Sequence, residues 1–126
     1  MEDFAGRIAV DYERFEQNLN IDALDVESNY RRQGLAKQLF QKILEKHPDV
    51  VSVSSVLTNL NVAAYKAHKA ELVRGRHDFE FTYEDDIETV KKTPAYRIRA
   101  SFGFTKILKY SRTKTSITLV VGREDQ

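Results

Sequence analysis

A turn of seven residues, Tyr30 to Ala36, carries the residue types that bind phosphate groups. Its sequence is Tyr-Arg-Arg-Gln-Gly-Leu-Ala, and it joins an apolar stretch to a stretch with helical spacing. The first amides of a helix have no partner within the helix and, together with the helix dipole, they attract anions. Gly34 leaves those amides uncovered, and Arg31 and Arg32 add positive charge. The turn therefore predicts a pyrophosphate site, with a basic helix cap as the alternative interpretation.

The chain has few residues suited to cysteine or metal chemistry. Because it has no cysteine, it can form neither disulfides nor thiolate metal sites, and it has no cysteine nucleophile. Its three histidines, His47, His68 and His77, lack the spacing of metal ligands, so we expect no metal. The net charge of +1 points to no particular partner.

Length and composition are those of a globular protein. A chain of 126 residues can bury one core, and 41% hydrophobic with 31% charged residues is typical of a soluble domain. The acidic start, Met1-Glu2-Asp3-Phe4, has no apolar stretch behind it and is unlike a signal peptide or membrane anchor. We therefore expect one cytoplasmic domain with no membrane partner.

The first half of the chain predicts the elements that would position the turn. Apolar and polar residues alternate over 6–14, as in a half-buried strand, and residues 19–26 predict a second strand antiparallel to it. Over 35–46 the apolar residues follow helical spacing, and the helix ends before Pro48. The β-branched run 50–57 predicts a buried strand, which completes a βαβ unit.

The middle of the chain is more irregular. A helix is predicted from residue 62 to about residue 73, capped by Asn59 or Asn61. In the acidic segment that follows, alternating aromatic residues indicate a short edge strand. These are Phe79, Phe81 and Tyr83.

The end of the chain predicts a helix and a hairpin. A Thr-Pro pair marks a helix start and Gly103 a helix stop, so a short helix is expected at 94–102. Strands at 104–110 and 116–121, joined by a polar loop, should pair antiparallel.

In its context, the turn resembles the signature of the GNAT superfamily of acetyl-CoA-dependent N-acetyltransferases, Arg/Gln-x-x-Gly-x-Gly/Ala after the fourth strand. Arg31, Gly34 and Ala36 match this signature. Residues 24–30 look like the family's strand and short loop before the signature. Residues 93–104 are similar to its last helix, which ends in Gly-Phe before a C-terminal hairpin.

The resemblance covers about residues 6–121, apart from an interruption at about 62–92. It implies a single α/β domain over residues 1–126, with an insertion at about 62–92. The expected fold is a mixed, strongly twisted sheet of about six strands with flanking helices. Acetyl-CoA is expected at the splay between the strands at 19–26 and 50–57.

The resemblance also implies which residues bind the cofactor. The backbone of Leu24 and Val26 would pair with the pantetheine arm, and Asn59 would contact the cofactor unless it only caps a helix. The pyrophosphate would be held by two arginine side chains and four backbone amides, those of Arg31, Arg32, Gln33, Gly34, Leu35 and Ala36.

Catalytic roles follow from the same resemblance. Asp22 is the expected base, acting through water, with Asp25 as a weaker second choice, and a backbone amide near Val26 would stabilise the oxyanion. The family's usual tyrosine acid is replaced here by Arg99, which could instead stabilise the thiolate. Other candidates for the acid remain open, namely Tyr96, one turn earlier, and Tyr65 or His68 on the preceding helix.

The chain departs from the family in two places. The helices that usually precede the third strand are almost absent, which could leave sheet surface exposed and allow a homodimer. The insertion at about 62–92 is expected to supply the acceptor wall instead. Its acidic residues would attract a cationic amine, or form only a solvated loop; they are Glu80, Glu84, Asp85 and Asp86.

The sequence thus predicts an N-acetyltransferase that transfers an acetyl group by direct attack. The acceptor is a primary amine: a protein lysine or N-terminus, a polyamine or a small amine. One alternative is a degenerate GNAT domain that binds CoA and acts as a sensor or protein-interaction module. Another is a nucleic-acid binder, which the low net charge disfavours. It would use Arg74, Arg76, Lys91, Lys92, Arg97, Arg99, Arg112 and Lys114.

Overall fold

A computed structural model describes the backbone of residues 6–26, 34–75 and 80–123, and the side chains of 9–21, 34–75 and 80–123. Five strands and four helices lie in this part of the chain. In order they are β1 (Gly6–Glu13), β2 (Asn18–Val26), α1 (Leu35–Lys46), β3 (Ser52–Leu57), α2 (Leu60–Val73), α3 (Tyr83–Val90), α4 (Pro94–Ser101), β4 (Lys106–Arg112) and β5 (Ile117–Gly122).

The described strands form one mixed sheet in the order β1-β2-β3-β5-β4. Strands β2 and β3 are parallel, and every other neighbouring pair is antiparallel. Helix α1 makes the crossover between the two parallel strands, as βαβ units require. The prediction of an α/β fold with a mixed sheet is confirmed, with five described strands where about six were expected.

The parallel pairing of β2 with β3 is short. It runs from Asn18 opposite Ser52 to Ile21 opposite Ser55. Both strands continue beyond this point, β2 to Val26 and β3 to Leu57, but without pairing to each other. The sheet therefore opens at the carboxyl ends of its two parallel strands, where ligands bind in open α/β sheets.

A bulge interrupts the pairing of β1 with β2 beside this opening. Ala9 lies opposite Ala23, whereas Val10 lies opposite Ile21, so Asp22 is the extra residue on β2. Bulges bend a strand and change the direction of neighbouring side chains, and they are frequent next to active sites.

The core lies on one face of the sheet. All four helices contribute buried residues to the same cluster, including Phe40 of α1, Tyr65 of α2, Val90 of α3 and Ala95 of α4. The strands contribute side chains that alternate along each strand, as the two-residue period requires. These are Leu19, Ile21, Val53, Leu57, Ile117, Leu119 and Val121.

The opposite face of the central strands is polar and partly exposed. Ser52 Oγ donates to Asn18 Oδ1 at 2.8 Å, and Ser54 Oγ donates to Asn20 Oδ1 at 3.0 Å. Val56, on the same face, is 62% exposed. This polar face is the surface on which the predicted homodimer would depend, and that dimer stays a prediction.

Two local predictions are wrong. The aromatic residues predicted to form an edge strand lead instead into helix α3, where Thr82 and Asp85 form a capping box; Phe79 itself lies outside the described residues. Asn59 precedes α2, but no side-chain hydrogen bond caps that helix. Asn61 accepts a hydrogen bond from the Ala95 amide at 2.9 Å, so it joins α2 to α4 rather than capping a helix.

The remaining elements match their predictions closely. Helix α1 spans the predicted residues, and Thr93 Oγ1 caps α4 by accepting from the Tyr96 amide. The C-terminal hairpin of β4 and β5 pairs antiparallel as expected. Among the described residues, no helix is long and apolar enough to cross a membrane.

Candidate active site

The N-terminus of α1 has the features of an anion site. Gly34 adopts a left-handed conformation, with φ of 75°, and no atom of the described residues lies within 4 Å of where its Cβ would be. In the described part of the chain no side chain caps the helix, and its first turn contains no acidic residue. The amides of Leu35 and Ala36 therefore face no competing carboxylate from their own helix. Arg31, Arg32 and Gln33, which complete the predicted pyrophosphate site, lie outside the described residues.

One edge of β2 is available at the opening of the sheet. Leu24 pairs with Ile8 and Val26 with Gly6, both on β1. On its other side, the segment from Asp22 to Val26 pairs with no strand that the structure describes. A free strand edge can bind an extended chain by backbone hydrogen bonds, which is what the prediction for the pantetheine arm requires.

Arg99 lies at the inner end of this opening. Its Nη2 donates to Ser55 Oγ at 2.9 Å, and Ser55 is the last residue of β3 that pairs with β2. The side chain is buried, with the residue only 3% exposed, and the guanidinium carbon lies 6.0 Å from the centre of the Phe40 ring. The guanidinium therefore lies below the point where the two parallel strands separate.

Arg99 has fewer partners than a buried cation normally has. Within the part of the chain that the structure describes, its Nε has no hydrogen-bond partner and no carboxylate pairs with it. Burial lowers the pKa of Arg99 to about 10. A buried charge without a counterion costs free energy, so this arrangement fits a ligand that develops negative charge at the opening of the sheet.

Of the other catalytic candidates, the two tyrosines have hydroxyl groups that already donate hydrogen bonds, and the two aspartates have side chains outside the described part. Tyr96 is buried, and its hydroxyl donates to the Thr105 carbonyl oxygen at 2.7 Å. Tyr65, a further candidate for the acid, donates its hydroxyl hydrogen to Asp86. The backbone of Asp22 lies at the bulge of β2, while its side chain and that of Asp25 lie outside the described part.

Asn59 and His68 come from the segment that follows β3. Asn59 follows the end of β3 by two residues, is exposed and has a φ of 49°. It lies just beyond the carboxyl end of β3, and its predicted contact to the cofactor stays a prediction. His68 is half-buried on α2, one turn beyond Tyr65.

The acids of the predicted acceptor wall separate into two pairs. Asp85 is used in the capping box of α3, and Asp86 accepts hydrogen bonds from Tyr65 and, at 2.7 Å, from Tyr110. Glu80 and Glu84 are exposed. Among the described residues, only Asp85 and Asp86 of these four acids are held by hydrogen bonds.

Sequence reasoning missed Ser55 and the partners of Asp86. Ser55 is a buried hydroxyl residue between Val53 and Leu57 on the core face of β3, and a hydroxyl among apolar core positions was a visible signal that a polar group contacts it. The partners of Asp86 come from α2 and β4, and no local pattern marks such contacts. Among the described residues, no group of three His, Cys, Asp or Glu side chains could hold a metal.

Comparison with known proteins identifies one family. The family model described as "Acetyltransferase (GNAT) family" matches residues 2–72, more than half of the chain. The match includes β1, β2, α1, β3 and nearly all of α2, and so includes the turn at Gly34 and the opening of the sheet; it ends before α4, which carries Arg99. No curated protein and no solved structure gives a match.

Proposed function

The chain belongs to the acetyltransferase (GNAT) family, and from that premise we propose that it transfers the acetyl group of acetyl-CoA to a primary amine by direct attack. The observation that supports this most strongly is the separation of β2 from β3 beyond Ile21 and Ser55. It leaves a free strand edge from which the chain leads to the uncapped N-terminus of α1. These two features suit the extended arm and the pyrophosphate of one ligand.

Different residues bind different parts of acetyl-CoA. The amides of Gly34, Leu35 and Ala36 bind the pyrophosphate, helped by Gln33 and by Arg31 and Arg32. The backbone of Leu24 and Val26 pairs with the pantetheine arm, and Asn59 contacts the cofactor from the end of β3. When bound, acetyl-CoA supplies an acetyl group activated as a thioester.

The reaction makes a carbon–nitrogen bond and breaks the carbon–sulfur bond. Asp22 accepts the proton of the attacking amine through a water molecule, and a backbone amide near Val26 stabilises the oxyanion. The sulfur leaves with the bonding electron pair as a thiolate, and Arg99 stabilises its negative charge. Tyr96 is the second choice for this step, because its hydroxyl already donates to Thr105.

The acceptor side carries the exposed acids of the 62–92 segment. Glu80 and Glu84 attract a cationic amine such as lysine or a polyamine. Replacing both by glutamine should raise the Michaelis constant of a cationic amine severalfold and leave that of acetyl-CoA unchanged. A matched control is Glu45→Gln with Glu16→Gln, two exposed acids outside this segment. Acceptor kinetics that are the same in both double variants would contradict this assignment.

Release of CoA thiol is a direct assay of the proposed function. The chain has no cysteine, so a thiol reagent detects only the product. A panel should include a lysine peptide, a peptide with a free N-terminus, a polyamine and a small amine. Turnover that depends on both acetyl-CoA and an amine, and that is lost in Asp22→Asn, would support the proposal. Binding of acetyl-CoA without turnover would favour the alternative.

That alternative is a GNAT domain that binds CoA as a sensor or interaction module. Its support is Arg99 at the family's usual acid position, together with the engaged hydroxyl of Tyr96. The nucleic-acid hypothesis is weakened, because Arg99, one of the basic residues on which it rests, is buried.

A further inference from the structure

A cavity of about 180 Å³ lies between α2 and the hairpin of β4 and β5. Val62 and Ile117 supply the apolar part of its lining. Its polar lining has four cationic side chains and no carboxylate. These polar residues are Tyr65, Lys66, Lys69, Arg112, Thr113 and Lys114.

Arg112 at the wall of this cavity is positioned by three contacts. Its Nε donates to the Tyr110 hydroxyl at 3.1 Å and lies 3.7 Å from Asp86 Oδ1. Its guanidinium carbon lies 4.8 Å from the centre of the Tyr65 ring. Within the described ranges, its two terminal nitrogens have no hydrogen-bond partner, so they remain available to a ligand. A guanidinium fixed in this way loses little entropy when it binds an anion.

The lysines add charge that the described residues leave largely uncompensated. Lys69 Nζ lies 4.5 Å from the centre of the Phe81 ring, which fixes its position by a cation–π contact. Thr113 Oγ1 accepts from the Ser116 amide at 3.0 Å and so shapes the turn that carries Lys114. Neither Lys66 nor Lys114 pairs with a carboxylate in the described part of the chain.

We propose that this cavity binds a phosphate group. It is smaller than the roughly 300–1,000 Å³ of sites for drug-sized molecules and is large enough for one phosphate. Since Leu57 of β3 pairs with Ile117, the cavity lies at the carboxyl end of β3, the end at which the sheet opens. The phosphate has two sources: the 3′-phosphate of coenzyme A, which rests on the proposed function, or a phosphate that is not part of the coenzyme.

Titration with inorganic phosphate tests the site without coenzyme A. Backbone amide resonances would be followed by NMR at constant ionic strength, with chloride as the reference anion. The expected result is a saturable shift at Lys66, Lys69 and Lys114 that chloride does not produce. In Lys66→Gln/Lys114→Gln, phosphate binding should weaken at least roughly tenfold. The exposed pair Lys42→Gln/Lys106→Gln should bind as the wild type does. No saturable shift, or equal weakening in both double variants, would overturn the proposal.

Coenzyme A and 3′-dephospho-coenzyme A then identify the source. If the cavity holds the 3′-phosphate, the wild type binds coenzyme A more tightly than the dephospho form, and Lys66→Gln/Lys114→Gln loses most of that preference. If phosphate binds but the preference is the same in both proteins, the phosphate comes from another ligand. Failure of both coenzymes to bind would contradict the proposed function alone, because the phosphate titration does not depend on them.

Discussion

Replacing Arg99 by methionine removes a buried charge and keeps an unbranched side chain in its place. Burial lowers the pKa of Arg99 to about 10, and at about 1.36 kcal/mol for each pH unit below its ordinary value this is a cost of about 3 kcal/mol. The cost applies in full below about pH 10, where the group is charged in the folded and the unfolded protein. The hydrogen bond to Ser55 offsets about 1.5–3 kcal/mol of it. The free energy of unfolding of Arg99→Met should therefore stay within about 1 kcal/mol of the wild type, or exceed it.

The same substitution should lower catalytic activity strongly, although it leaves stability nearly unchanged or increased. If Arg99 stabilises the departing thiolate, its loss should lower kcat about hundredfold, as does removing one oxyanion donor elsewhere. The Michaelis constant for acetyl-CoA should change much less. Urea unfolding and the thiol-release assay measure the two effects on the same samples. Arg97→Met, at an exposed position on the same helix, should change neither, and Arg99→Lys should recover part of the activity.

A purely structural role of Arg99 would give a different result. A fall in unfolding free energy of more than about 2 kcal/mol, with unchanged turnover by the folded protein, would make the guanidinium a structural link between α4 and β3. The thiolate role would then be withdrawn, and Tyr96 would become the leading candidate for the acid.

The remaining predictions concern Asp86 and its tyrosines. Asp86→Ala removes the acceptor of two phenolic hydroxyl groups and should lower the unfolding free energy by about 2–4 kcal/mol. The control Glu88→Ala, at an exposed position on the same helix, should lower it by less than about 1 kcal/mol. Similar losses in the two variants would refute the role of Asp86. Burial raises the pKa of Tyr110 to about 12 and also raises that of Tyr65. At least two of the six tyrosines should thus stay protonated at about pH 11 in an ultraviolet titration. The free energy of unfolding should fall above about pH 10, where the tyrosines of the unfolded chain ionise. Ionisation of all six tyrosines of the folded protein below about pH 11 would contradict the burial of Tyr65 and Tyr110.

The elements that sequence patterns predicted well are those with a long periodic pattern or clear start and stop residues. Helix α1 repeats its apolar spacing over three turns and ends before Pro48, so its bounds were predictable. Helix α4 follows a Thr-Pro start and precedes Gly103, whose φ is 95°. In both cases local chemistry and tertiary packing favour the same structure.

Helix α3 shows where a short pattern misleads. Three aromatic residues in alternation suggested a strand, but Tyr83 is 70% exposed and the Phe81 ring contacts Lys69. The stronger signal was the helix start, with Thr82 and Asp85 three residues apart and acids in the first turn. An alternation over five residues is too short to outweigh such a start.

The elements that form the candidate site were predictable, but the contacts between them were not. The family signature located the turn at Gly34, and its last helix located Arg99. That Arg99 is buried against Ser55, 44 residues earlier in the chain, depends on how α4 packs on β3. Contacts of this kind follow from the whole fold and leave no local trace in the sequence.

Calorimetric titration of acetyl-CoA tests the proposed site most directly. Gly34→Glu would place a carboxylate against the amides at the start of α1 and strain a residue with φ of 75°. Gly75→Glu is a matched control, because Gly75 has φ of 70°, has the same open space around it, and lies at the far end of α2. The proposal predicts that the wild type and Gly75→Glu bind acetyl-CoA and that Gly34→Glu does not. Binding by all three proteins, or by none while each is folded, would contradict it.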